Sequence, residues 1–379
     1  MTRPIRTDFI TLFVLSGCLA AITISLKALS WVSGDAYGIL AWLIPAGSFW
    51  HGHEMLSGYA QGLLAGYLMT KASRRDIAIF IALWLGARIA VFAPAFPGLY
   101  LAAVCNFSVI ALLFYHAGLM FFRAAKRFRS AIPGIVILLL TVAELMFQVG
   151  LIMDLPHLCE TALLGVIWLL IIMLFLMGGR ITAAATSGVL QRRNAYRHGL
   201  AQSRYETYGL VALAIALFSE LLGQTPWLTD IAALSTATIM TLRLLHWQIW
   251  KAWDQLDVSS LHLGYAMLAI GLFFKAFWSL SGHGNGLVSF HGVMIGGFGI
   301  LSITVMTRTV LQRLRHPIVL PITIRFCNLA LVAAAFIRIT DFYVQTPFLI
   351  SSSAVLWTLA FITFVSTLII IRIMFHRQN

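Results

Sequence analysis

Residues Phe9 to Trp31 read FITLFVLSGCLAAITISLKALSW, an apolar run interrupted by one charge, Lys27. A bilayer's hydrocarbon core is about 30 Å thick and an α-helix rises about 1.5 Å per residue, so about 20 such residues cross it. Arg3 and Arg6 precede the run, as basic residues precede the apolar region of a secretory leader. That apolar region is shorter in a leader, and no Ala-x-Ala site closes the run here, so it reads as the first membrane helix.

The rest of the chain repeats the pattern. Its 379 residues are 60% hydrophobic and 10% charged, with a mean hydropathy of +0.90. A soluble domain carries roughly 25% charged residues, so too few charges are present to cover a water-facing surface. Apolar runs near 9–31, 48–70, 77–94, 98–122, 132–153, 157–178, 206–223, 229–250, 258–280, 288–311, 320–340 and 347–374 predict an all-α polytopic membrane protein of about twelve helices. The expected organisation is one integral membrane domain over 1–379 with no separate soluble domain. Helices 1–6 cover about 9–178, a cytoplasmic loop covers 180–205, and helices 7–12 cover about 206–374. Turn signals at Ser33-Gly34-Asp35, Pro94 to Gly98, Thr225-Pro226 and Gly282 to Gly286 separate the runs, and helix 2 has an alternative start near Gly38.

Basic residues give the orientation. With the N-terminus in the cytoplasm, 20 of the 26 Lys and Arg fall in inside segments, six fall within spans and none falls in an outside loop. Cytoplasmic loops carry such an excess. Both termini are therefore expected in the cytoplasm of a bacterial cell, with the protein in the inner membrane. The net charge of +13 is then a topological signal and a contact for anionic lipid, with no role for nucleic acid. The four cysteines stand singly among apolar residues, with no CxxC spacing, and read as small core residues.

Ionisable side chains inside a bilayer are costly and mark function by default. An outer layer begins at Trp50-His51-Gly52-His53-Glu54-Met55, where α-helical spacing puts His51, Glu54 and Met55 on one face. It continues with Phe290-His291-Gly292 and the small-residue face Gly296-Gly297-x-Gly299, and with Arg88, Lys275 and Arg338. His51, His53 and His291 are expected at similar depth. An inner layer holds His116, Arg243, His246 and His262, and Glu144 lies mid-span in helix 5. Imidazole ligates copper and haem iron. His51, His53, His262 and His291 are therefore candidate cofactor ligands, and His51, His53, His291 and Glu54 candidate metal ligands. Arg88 and Arg338 suit haem propionates, or snorkel to the interface. For His116 and His246 the plainer reading is a hydrogen bond to a carbonyl or headgroup. Glu54 and Glu144 are the candidate proton carriers.

At these residues the chain resembles the NnrS family. The carriers are Trp50 to Met55 with Gly58-Tyr59 and Ala65-Gly66-Tyr67-Leu68; Gly178-Gly179-Arg180-Ile181; Leu261-His262-Leu263-Gly264-Tyr265; His291 with Gly299, Met306, Thr307 and Arg308; and Leu356 to Phe361. The resemblance runs along nearly the whole chain. It implies a twelve-helix inner-membrane protein that carries copper and haem of b type and serves the nitric oxide response and relief of nitrosative stress. The chain departs from the family in two places. Ile181-Thr182-Ala183 follows Gly-Gly-Arg where Pro, Phe and Thr are common, and Glu144 and Gln148 stand where relatives have an Asn and a His about four residues apart.

Two functions fit. One is a haem and copper protein that binds or converts nitric oxide at a buried site, with electrons from a donor the sequence does not identify. The other is a transporter of a metal or iron complex that uses the histidines as transient ligands. A respiratory haem–copper oxidase is disfavoured, because no adjacent His-His pair occurs.

Overall fold

In a computed structural model the described residues are 6–32, 49–93, 95–195, 202–223, 225–283, 287–344 and 346–378. The expected turns at Ser33-Gly34-Asp35 and Gly284 to Gly286, the alternative helix start at Gly38, and Arg3 and Arg197 lie outside them. Among the described residues there is no β-strand. In chain order the helices are α1 (Asp8–Val32), α2 (Trp50–His53), α3 (Ala60–Leu68), α4 (Arg74–Ala90), α5 (Ala95–Leu113), α6 (Leu119–Ala124), α7 (Phe128–Ile152), α8 (Pro156–Met173), α9 (Gly179–Arg192), α10 (Ser203–Leu222), α11 (Pro226–His246), α12 (Leu256–Trp278), α13 (Gly299–Arg313), α14 (Ile322–Val344) and α15 (Pro347–Gln378).

Ten helices among the described residues are long and apolar enough to cross a membrane. The expected second and third spans are helical too, but fall outside that ten. Trp50–Leu68 carries the polar His51, His53, Glu54 and Gln61, and α4, at 17 residues, is short. Exposed apolar stripes give the helices their solvent. On α10, Val211, Ile215, Phe218 and Leu222 are exposed while Ala212, Leu213, Ala216 and Leu217 are buried. An apolar stripe exposed at helical spacing suits lipid and not water.

The chain forms two compact units, one of Met1–Val166 with Val365–Asn379 and one of Ile167–Phe364. In the first, α1 packs on α3, α4 on α5 and α5 on α7. Ser73 starts α4 with a reciprocal cap: its hydroxyl accepts from the Asp76 N–H and its N–H donates to the Asp76 carboxylate. In the second, α12 packs on α11 and on the π segment Gly292–Phe298. The glycine face there works as its sequence suggests: a β-carbon on Gly297 would lie 2.7 Å from Leu268 Cα.

One boundary needs correcting. The loop expected over 180–205 is helical as far as Arg192, in a continuous helical run of 37 residues from Pro156. Thr182, Ala183, Thr186, Val189 and Leu190 are buried along α9. The Thr182 and Thr186 hydroxyls donate to carbonyls one turn back, Gly178 and Thr182. Threonine satisfied in this way reads as polar in sequence and packs as core in the helix.

Among the described residues four π segments interrupt the helices, at Glu54–Tyr59, Phe114–Gly118, Leu174–Gly178 and Gly292–Phe298. Such turns gather at functional sites, and these coincide with the quoted motifs or with an intramembrane histidine.

Candidate functional site

In the first unit four ionisable side chains meet in the helix interior. His53 Nε2 lies 2.9 Å from Glu144 Oε1, and its Nδ1 lies 3.6 Å from Glu54 Oε1. Arg88 Nε donates to Glu54 Oε2 at 3.0 Å, and its Nη1 donates to the Trp84 carbonyl and to Asn106 Oδ1. Gln148 Nε2 donates to Glu144 Oε1 at 2.7 Å, and Gln61 Nε2 reaches Oε2 at 3.4 Å. His53, Glu54, Glu144, Gln61 and Gln148 are buried. The result is a continuous chain, Arg88–Glu54–His53–Glu144. With both carboxylates ionised, one proton on His53 brings its charge to zero.

Each element delivers its member for a local reason. Glu144 and Gln148 are one turn apart on α7 and so share a face. The His53 ring stacks on Phe147 of the same helix, centroids 4.3 Å apart and planes 11° apart. Arg88 is drawn inward by Glu54 and by the Trp84 ring, 4.8 Å from its guanidinium carbon, so it does not snorkel. Sequence spacing paired Glu54 with His51. In the structure Glu54 lies beside His53 and accepts from Arg88, which α4 supplies from another helix.

A cavity of about 450 Å³ adjoins the cluster, lined in part by Trp50, His53, Glu54, Asn106, Phe147 and Gln148. It is large enough for a diatomic molecule or for part of a larger group.

The second unit holds His262, His291 and Arg338. His291 Nδ1 lies 2.7 Å from the Val288 carbonyl. A carbonyl only accepts, so Nδ1 carries the proton and the neutral ring has its lone pair on Nε2. His262 Nε2 lies 2.9 Å from Thr186 Oγ1. That hydroxyl already donates to Thr182, so Nε2–H is the donor and the lone pair falls on Nδ1, which is buried with no hydrogen-bond partner. Arg338 pairs with Asp341.

Sequence reasoning did not assemble one further group there. Lys275 Nζ lies 2.8 Å from Asp230 Oδ1 and 3.6 Å from Glu220 Oε2, and Trp168 Nε1 donates to Glu220 at 3.2 Å. The signal was present, since all three charges fall within apolar runs, but only their coincidence in space makes them a set. Among the described residues, no three His, Cys, Asp or Glu side chains are gathered as a metal site.

A many-helix membrane protein with a buried acid–base chain that starts at a π-interrupted segment is the class that fold and site define. The chain belongs to the NnrS family: the model of that family, described as NnrS protein, matches residues 6–374. No curated protein matches it. Membership links the chain to the nitric oxide response.

Proposed function

We propose that the protein handles nitric oxide beside the first unit's buried cluster, with His53 passing protons between Glu54 and Glu144. One observation carries this reading. Both ring nitrogens of His53 face carboxylates, at 2.9 and 3.6 Å, and the same residue lines the adjoining cavity. An imidazole between two acids accepts a proton on one side and releases it on the other. Nitric oxide is small and apolar, reaches such a cavity through lipid, and consumes protons as well as electrons when reduced. The electrons come from a separate donor.

The cofactors proposed are copper and a haem of b type. His53 does not fit as a ligand in this arrangement, because a metal on either nitrogen would displace a carboxylate. His291 and His262 do fit. Each has one ring N–H held by an oxygen, which fixes the tautomer, and Nδ1 of His262 is buried with no hydrogen-bond partner among the described residues. His51 is the remaining histidine of the motif. Iron or copper held at His51, in the first unit with His53, would supply the redox centre for nitric oxide, and a group on His262 or His291 would be a second centre in the other unit.

The same proposal places the chain in a bacterial inner membrane with twelve crossings and both termini in the cytoplasm. Trp50–Leu68 and Arg74–Ala90 complete the count.

The test is an absorption spectrum of purified protein together with nitric oxide consumption by membranes. A Soret band, and consumption that falls in Glu144→Gln, support the proposal. A colourless, metal-free protein favours the transporter reading. That reading has one observation of its own: Lys275 faces two carboxylates, Asp230 and Glu220, leaving a net negative charge suited to a transported cation.

A further inference from the structure

Arg243, on α11 in the second unit, is fully buried. Its Nη1 donates to the Tyr265 hydroxyl at 2.7 Å and to the Phe175 carbonyl at 3.4 Å. The rings of Phe175, Trp247 and Tyr265 surround the guanidinium carbon at 4.9, 5.1 and 5.6 Å. The other edge is unused: Nε and Nη2 are both buried and neither has an acceptor among the described residues.

Those two nitrogens are the parallel pair with which a guanidinium grips a carboxylate side-on. Arg180, in the same unit, shows the pair in use. Its Nε donates to Glu206 Oε2 at 3.0 Å and its Nη2 to Oε1 at 2.6 Å. Glu206 is thereby committed to Arg180, and no carboxylate is among the partners of Arg243. A β-carbon on Gly179 would lie 2.8 Å from Nη2 and 3.0 Å from Cζ, so the backbone at Gly179 leaves room that the guanidinium head occupies. The fold seats this arginine without an ion pair, in a membrane interior where an isolated cation is costly.

We propose that the Nε/Nη2 edge of Arg243 binds a planar monovalent oxyanion, such as nitrite, nitrate or a carboxylate group. Two oxygens of one flat anion satisfy both donors at once and neutralise the buried charge. The aromatic rings hold the guanidinium plane fixed and exclude water. The site is separate from the His53 cluster and does not depend on it.

The experiment uses full-length protein in detergent. Sodium nitrite, nitrate, formate and acetate are each compared with bromide at constant ionic strength, by thermal unfolding and by calorimetric titration. The expected result is saturable stabilisation by the two-oxygen anions and none by bromide. Nitrite and nitrate alone would identify an inorganic ligand, and formate and acetate as well would identify a carboxylate group. Arg243→Lys keeps the charge and loses the fork, and should weaken binding by about tenfold or more. Arg180→Lys should leave it unchanged. No saturable effect of any anion on wild-type protein, or an equal effect of bromide, overturns the proposal even if Arg243→Lys does not fold. So does binding that survives in Arg243→Lys and disappears in Arg180→Lys.

Discussion

His53 and Glu144 are 91 residues apart in sequence, and their side chains meet at 2.9 Å inside the first unit. Glu54, the next residue after His53, faces the other ring nitrogen and is held in turn by Arg88. A histidine placed between two acids in this way fits the proton-carrying role proposed for it, and substitution of either acid separates that role from packing.

Glu144→Gln keeps the shape and the hydrogen bond but removes the charge. Nitric oxide consumption in membranes should fall by about tenfold or more, since a positioned acid–base group is worth about 10²–10⁴-fold, while the protein still accumulates. Wild-type consumption in Glu144→Gln would make the residue structural.

Glu54→Gln should retain most of the fold for the same reason. Glu54→Ala should be worse, because it strips Arg88 of its carboxylate inside the protein. Breaking a buried ion pair from one side costs roughly 3–5 kcal/mol. Thermal unfolding of the two variants side by side reads the difference, and equal midpoints would remove Arg88 from the argument.

Lys275 gives the corresponding test in the second unit. Lys275→Met leaves Asp230 buried and unpaired, at a cost of roughly 3–5 kcal/mol. Adding Asp230→Leu removes the nearer of the two carboxylates that Lys275 faces and should recover part of that loss. A double variant no more stable than Lys275→Met alone would show that the two residues do not act as a pair.

Outside the membrane, Arg193 and Asp254 are joined by two hydrogen bonds at 2.6 and 3.0 Å. The arginine holds the Asp254 carboxyl down to about 2. A depressed folded-state value means that the link is fully present above the unfolded carboxylate value of about 3.9 and is lost as pH falls through about 2. Cleavage near Arg193 by an added protease should therefore increase between about pH 4 and pH 2 in wild type. Asp254→Asn should show the increased cleavage already at neutral pH.

Reporter fusions after Arg127, Arg193 and Asn379 should all report the cytoplasm, since the proposed outside loops carry no Lys or Arg. A periplasmic signal at any of the three breaks the count of twelve crossings.

The sequence by itself determined the helical class, most helix positions and the family, because apolar run length and the sidedness of basic residues are local properties. It also marked His53, Glu54, Arg88 and Glu144 as residues that must matter, since charge in an apolar run is conspicuous without any partner in view. It did not show that these four form one chain, nor that Lys275 sits against Asp230 and Glu220. Those are distances between helices far apart in sequence, which no periodicity encodes. Nor did it give Glu54 its partner Arg88, which comes from α4. The stretch after Gly179 is polar in sequence, with Arg180, Thr182 and Thr186, and so reads as loop. Only the tertiary structure shows the two threonines buried, each hydroxyl bonded one turn back along α9. The open edge of Arg243 is the same kind of fact. A sequence can name a buried cation, but only packing decides which of its hydrogen bonds are left unmade.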